Sequence, residues 1–233
     1  MSSYSSVSHC IFDFDGTLIN TQSMLTAAIS QILAKYDKQY DSSLKSKTIG
    51  LNLKACAHIL TNELQLPLNA QELYDTAFNS YVDMLAVDTI EFMPGAKRLV
   101  KHLAKNGIEM AICTGSIHKT FALKIVNFGQ FFDCGQYFNH IVCAGDDPHI
   151  SRNKPYADPY LYCISLFNPP PDPHKVLVFE DSQTGLESGL SAGCQVVFIP
   201  DPVFDKNKFV GQSTLVIDSL EAFDPQIFGL PKF

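Results

Sequence analysis

The chain has 233 residues, room for one large domain or a domain carrying an insertion, and at 46% hydrophobic and 18% charged it has a globular composition. A net charge of −7 with no cluster of Lys and Arg excludes nucleic acid as a main partner. No apolar run approaches the roughly 18 residues of a membrane-spanning helix, so no membrane association is expected.

The seven cysteines are scattered, odd in number and without a CxxC spacing, which predicts buried reduced thiols rather than disulfides or a zinc site. The opening MSSYSSVSH has neither a basic segment before an apolar one nor the arginine of a transit peptide, so a cytoplasmic protein is expected, as a monomer or weak dimer.

The first element lies in HCIFDFDGTLIN, residues 9–20. Cys10-Ile11-Phe12 reads as a strand, and a period of two would put Asp13 and Asp15 on one face at its end. After Thr21 the period changes. Met24, Leu25, Ala28, Ile29, Ile32 and Leu33 share one face of a helix, and amphipathic helices are predicted again over 53–64 and 70–85.

From Pro94-Gly95 a helix carrying Ala96, Leu99, Val100 and Leu103 stops at Asn106-Gly107. Strands over 108–113, 140–143, 176–179, 196–199 and 214–217 then alternate with helices over 116–127, 159–167 and 184–192. NPPPDP, 168–173, reads as a turn between helix and strand. Alternation of this kind predicts an α/β fold, a doubly wound parallel-sheet, Rossmann-like core built from 1–20 and 92–233. The all-helical stretch 21–91 becomes a small inserted domain.

Ligands in open α/β sheets bind beyond the carboxyl ends of the strands. Four such ends carry polar residues: Asp13 and Asp15; Thr114, followed by Gly115 and Ser116; Lys154 in NKPYADPYL; and Glu180-Asp181 before SQTG. Singly, each has a bland reading, as a helix cap, a surface lysine or a solvated turn. Four of them on one sheet edge favour a site.

Four acids together repel: a like-charged pair about 4 Å apart costs about 4 kcal/mol at an effective dielectric near 20. One lysine cannot offset that, whereas a divalent cation can, and all-oxygen ligation points to Mg²⁺. A phosphate ester suits such a place. Its oxygens need Mg²⁺, Lys and hydrogen-bond donors, and a carboxylate can attack phosphorus to give an aspartyl-phosphate. Asp15 would then give a proton to the leaving alkoxide and take one from water.

DFDGT, ICTGS, NKPYADPYL and VFEDSQTG resemble, in order, the four motifs of the haloacid dehalogenase-like superfamily. The resemblance spans essentially the whole chain, and the helical insertion is similar to that superfamily's small cap. It implies Asp13 as nucleophile and metal ligand, and Asp15 as acid and base with its main-chain carbonyl on the metal. Thr114 and Lys154 would hold phosphoryl oxygens, and Asp181, helped by Glu180, would complete the metal shell.

Gly16 and Thr17 fit the turn beside the substrate, as Gly115 and Ser116 fit the second motif. Gly50 matches a glycine of the cap's substrate loop, with Lys54 standing in for basic residues that Leu51-Asn52 lack. Two further departures are Asn20, where relatives usually carry Asp, and Lys154-Pro155-Tyr156-Ala157-Asp158 in place of Lys-Pro-Asp-Pro-Asp. The implied partner is a small phosphorylated metabolite, first of all a nucleotide monophosphate. The alternatives are a phosphatase or phosphomutase of sugar phosphates, a dehalogenase, and an inactive scaffold serving as a binding protein.

Overall fold

The computed structural model describes residues 4–48, 51–87, 89–202 and 204–233. The chain divides into two compact units, Met1–Asn20 with Glu91–Phe233, and Thr21–Ile90.

In the first unit β1 (His9–Phe12) is the opening strand. The second unit is helical: α1 (Gln22–Ala34), α2 (Ser42–Thr48), α3 (Leu53–Leu64) and α4 (Ala70–Val87). The first unit resumes with α5 (Ala96–Lys105), β2 (Glu109–Thr114), α6 (His118–Ile125), β3 (His140–Cys143) and α7 (Asp158–Ser165). It closes with β4 (Val176–Glu180), α8 (Gln183–Ser191), β5 (Gln195–Phe198) and β6 (Leu215–Val216).

All six strands are parallel and lie in the order β3-β2-β1-β4-β5-β6. β1 is central, with Phe12 opposite Ile112 of β2 and Phe179 of β4. Both faces of a parallel sheet are covered, which is why these strands read as apolar runs without alternation. On one face Ile11, Ala111, Val178 and Val196 pack with Tyr160, Cys163 and Ile164 of α7 and Leu186 of α8. The next residue along each strand serves the other face: Phe12 stacks on Phe179 at 4.6 Å between ring centroids, with Phe138 and Phe223 edge-on. Each such ring, fully buried, contributes about 1.5–3 kcal/mol.

The helical unit has its own core of Ile29, Ile32, Leu33, Leu44, Ala57, Leu60, Leu73 and Ala77. Its helices start on local chemistry. Asn52 Oδ1 accepts from Ala55 N at 2.9 Å to open α3. Asn69 Oδ1 accepts from Glu72 N while Glu72 Oε2 accepts from Asn69 N, a reciprocal cap before α4.

Three expectations need correction. The helix expected over 116–127 starts at His118, becomes a 3₁₀ stretch at Val126–Phe132 and bends at Gly129, where φ is +58°. Ser116 therefore caps nothing. The strand expected over 214–217 pairs only at Leu215–Val216, on the half-buried sheet edge. α2 was not predicted; it buries only Leu44 and Thr48. All seven cysteines are free, and only Cys134 is exposed. Among the described residues no helix is long and apolar enough to cross a membrane.

Candidate active site

Parallel strands deliver their carboxyl ends to one edge, and the chain leaves β1 toward β2 on one side and returns to β4 on the other, opening a crevice there. Asp13 follows β1 and still donates its N–H to Phe179 O at 2.9 Å, as a ladder residue would. The strand then breaks: Gly16 adopts φ +84°, and Leu18 and Ile19 both donate to Phe14 O. That turn holds Asp15 at the strand end. Thr17 is buried in it, its hydroxyl without a hydrogen-bond partner.

Lys154 connects the stations. Its Nζ lies 2.6 Å from Asp13 Oδ1 and 2.6 Å from Glu180 Oε1, and donates to Cys113 O at 2.9 Å. A ligand oxygen from each of Asp13, Glu180 and Asp181 falls within 4.8 Å of the others. These acids are buried, Glu180 completely, so the solvated-turn reading of Glu180-Asp181 is wrong. Glu180 is held by Lys154, by Tyr160 OH at 2.6 Å and by Ser182 Oγ at 3.2 Å.

Asp15 has a different anchor. Lys124 Nζ sits 2.6 Å from its Oδ1 and 2.7 Å from its Oδ2. Ser116 Oγ donates to the same Oδ2 at 2.8 Å, and Thr114 Oγ1 lies 3.4 Å away. Gly115 is exposed, and its loop is backed by Gly145, where a Cβ would fall 2.7 Å from Gly115 O. In the helical unit Lys54 is exposed on the first turn of α3, and Gly50 lies outside the described residues.

Two residues of this arrangement were not foreseen. Lys124 corrects the expectation that one lysine faces the acids, and it occupies a position of α6 that is buried together with Thr120 and Phe121. An apolar-face position filled by a lysine was the available signal. Tyr160 gave none, since an aromatic on a helix face is ordinary core.

The electrostatics remain one-sided. Four carboxylates against two ammonium groups leave two negative charges. Burial pushes the Asp13 carboxyl up to about 7, with Lys154 opposing and Glu180 and Asp15 adding to the rise. Burial, then Asp13 and Glu180, raise Asp181 as well. For Lys154, burial alone would lower the ammonium's pKa, but Asp13 and Glu180 together raise it, so it stays charged. The donors are all oxygen, and ligands on opposite sides of a hard dication, at about 2.0–2.6 Å from it, are about 4.0–5.2 Å apart, a range that takes in the 4.8 Å bound on this trio. The trio therefore fits a single hard dication, which would cancel the deficit.

Fold order and this strand-edge constellation define a class. The sequence profile described as "Haloacid dehalogenase-like hydrolase" matches residues 10–199, and the chain belongs to that family. Among particular proteins, it is 36% identical to "Probable pseudouridine-5'-phosphatase" of Drosophila melanogaster, over 97% of this chain and 96% of that one. It is also 36% identical to "(DL)-glycerol-3-phosphatase 1, mitochondrial" of Arabidopsis thaliana, over 98% of this chain and 75% of the relative. A solved haloacid dehalogenase-like protein from Agrobacterium tumefaciens shares the fold with a TM-score of 0.77 and 22% identity, covering 93% of this chain and 95% of its own.

Proposed function

We propose that this chain is a Mg²⁺-dependent phosphomonoesterase that works through an aspartyl-phosphate on Asp13, with pseudouridine 5′-phosphate as its first substrate. The observation that carries the reading is Lys154 Nζ, 2.6 Å from both Asp13 and Glu180, with an Asp181 oxygen within 4.8 Å of theirs. Asp13, Asp181 and the main-chain carbonyl of Asp15 would hold the ion, with Glu180 beside them. Bound there, it would neutralise phosphoryl oxygens and keep Asp13 ionised.

The protein's own groups do the rest. The carboxylate of Asp13 attacks phosphorus, while Lys154 and Thr114 hold the equatorial oxygens and offset their growing charge. Asp15 gives its proton to the leaving oxygen, then takes one from the water that hydrolyses the aspartyl-phosphate. The helical unit, inserted between β1 and α5, takes the place in the chain of the family's small cap. A cytoplasmic setting fits the free thiols.

The pseudouridine reading is supported by a relative matched along nearly its full length. Equal identity to a glycerol-3-phosphatase favours a second reading, a small polyol phosphate. Phosphate release from pseudouridine 5′-phosphate, other nucleoside monophosphates, glycerol 3-phosphate and hexose phosphates, each with Mg²⁺, separates the two. Activity confined to glycerol or sugar phosphates overturns the nucleotide assignment. No release from any of them, at levels above Asp13→Asn, overturns the reaction.

A further inference from the structure

Lys124 is the member of the site that no motif accounts for. Its ammonium reaches both oxygens of Asp15, at 2.6 and 2.7 Å, and donates to Ser116 Oγ at 2.7 Å. Ser116 Oγ passes its own proton toward Asp15 Oδ2 at 2.8 Å, so the three side chains close a triangle. The Lys124 side chain is 3% exposed, against 22% for Asp15. An ammonium withdrawn from water to that degree depends on its acceptors, and losing them would leave it buried and uncompensated. Contact on both carboxylate oxygens, with a hydroxyl as third point, fixes the rotation of the carboxylate about its last bond.

We infer that Lys124, with Ser116, is a positioning residue for Asp15 that serves the second half of the reaction. The inference rests on the function proposed above. In that half, a water oxygen bonds to phosphorus, the bond from phosphorus to Asp13 breaks and restores the Asp13 carboxylate, and the water's proton goes to Asp15. Asp15 must then be a carboxylate with a lone pair held toward the water. The triangle holds the two oxygens of that carboxylate in one orientation. The first half makes no such demand when the leaving group is p-nitrophenolate, which departs without a proton. Removing Lys124 therefore separates the two halves.

The experiment is rapid mixing of wild type, Lys124→Met and Ser116→Ala with p-nitrophenyl phosphate and Mg²⁺. Aryl release is followed optically, and phosphoryl occupancy of Asp13 by mass spectrometry after acid quenching. In Lys124→Met, breakdown of the phosphorylated protein is expected to slow about 10-fold or more relative to its formation, since positioned proton transfer contributes typically 10²–10⁴-fold. One equivalent of p-nitrophenolate is then released in a burst, and the phosphorylated protein accumulates. Ser116→Ala is expected to show the same bias more weakly, and it decides the matter if Lys124→Met does not fold. Equal slowing of both halves, or of neither, overturns the inference and leaves Lys124 a packing residue. Wild-type protein that never carries phosphate on Asp13 overturns the proposed function first, before any variant is compared.

Discussion

Gly185 sits in the first turn of α8, where alanine would ordinarily stabilise the helix by about 1 kcal/mol. Here Gly185→Ala is expected to do the opposite. A Cβ built on Gly185 falls inside the van der Waals envelope of the Glu180 carboxylate carbon and both its oxygens. The tip of a flexible side chain could normally step aside, but Glu180 is fully buried, and its Oε1 accepts from Lys154 Nζ and Tyr160 OH, each at 2.6 Å. Moving far enough breaks both bonds. Hydrogen bonds to a charged group contribute about 1.5–3 kcal/mol each, so two of them set against the helix gain leave a net loss of about 2–5 kcal/mol. At 2–4 °C per kcal/mol for a chain of this size, calorimetry is expected to show Tm lowered by about 4–20 °C. Phosphatase rate is expected to fall with it, because Lys154 loses one of its two anionic anchors. A variant that melts at or above the wild-type temperature with unchanged rate would refute the reasoning, because it would show that the Glu180 carboxylate has somewhere else to go.

Asp13→Asn is expected to abolish phosphate release while circular dichroism and elution volume stay those of wild type; residual turnover at the wild-type rate would dismiss the covalent route. Lys154→Met leaves two buried carboxylates without their cation, at a cost of about 3–5 kcal/mol and about 100-fold or more in rate. Lys206→Met, which breaks an exposed pair with Asp218, is expected to change stability by under about 0.5 kcal/mol, and comparable melting of the two variants would return Lys154 to an ordinary surface role. Saturating Mg²⁺ at about 100 times its Kd adds about 2.7 kcal/mol, or about 5–11 °C in Tm, reversed by EDTA. In the metal-free chain the raised Asp13 carboxyl favours folding at acid pH, and that contribution is lost as pH rises through about 7. The ion must displace protons below that point, so its shift in Tm is expected to be larger at pH 8 than at pH 6, and equal shifts would count against Asp13 as a ligand. A water-soluble thiol reagent is expected to label one cysteine per native chain, Cys134; rapid labelling of several would contradict the burial of the other six.

How far the sequence could be read depended on what each segment buries. β1 and β4 were legible because both faces of a central parallel strand are covered, so apolar residues run unbroken up to the acids. α3 was legible because a regular apolar face, Cys56, Ala57 and Leu60, runs along it. α2 was missed because SSLKSKT buries one aliphatic residue and one threonine, which gives hydrophobic periodicity nothing to register. β6 was overdrawn for a related reason: Thr214–Ile217 has strand composition, but an edge position supplies a neighbour on one side only. In the site, the stations at strand ends could be located because a strand's end is a local property. Lys124 gave a local signal, a lysine on the apolar face of its helix, but not its partner, since Asp15 is 109 residues away.

The strand order has a consequence for how the protein is made. Residues 9–12 are synthesised well before their two partners, residues 109–112 and 176–179. At about 5–20 residues per second, roughly 8–35 s of synthesis separate the central strand from its second neighbour. During that interval the nascent chain carries an unpaired apolar edge, Cys-Ile-Phe, while residues 21–90 already have in hand all they need to close their own core. Nascent-chain chaperones therefore have a defined client in residues 9–12, until β4 has been translated.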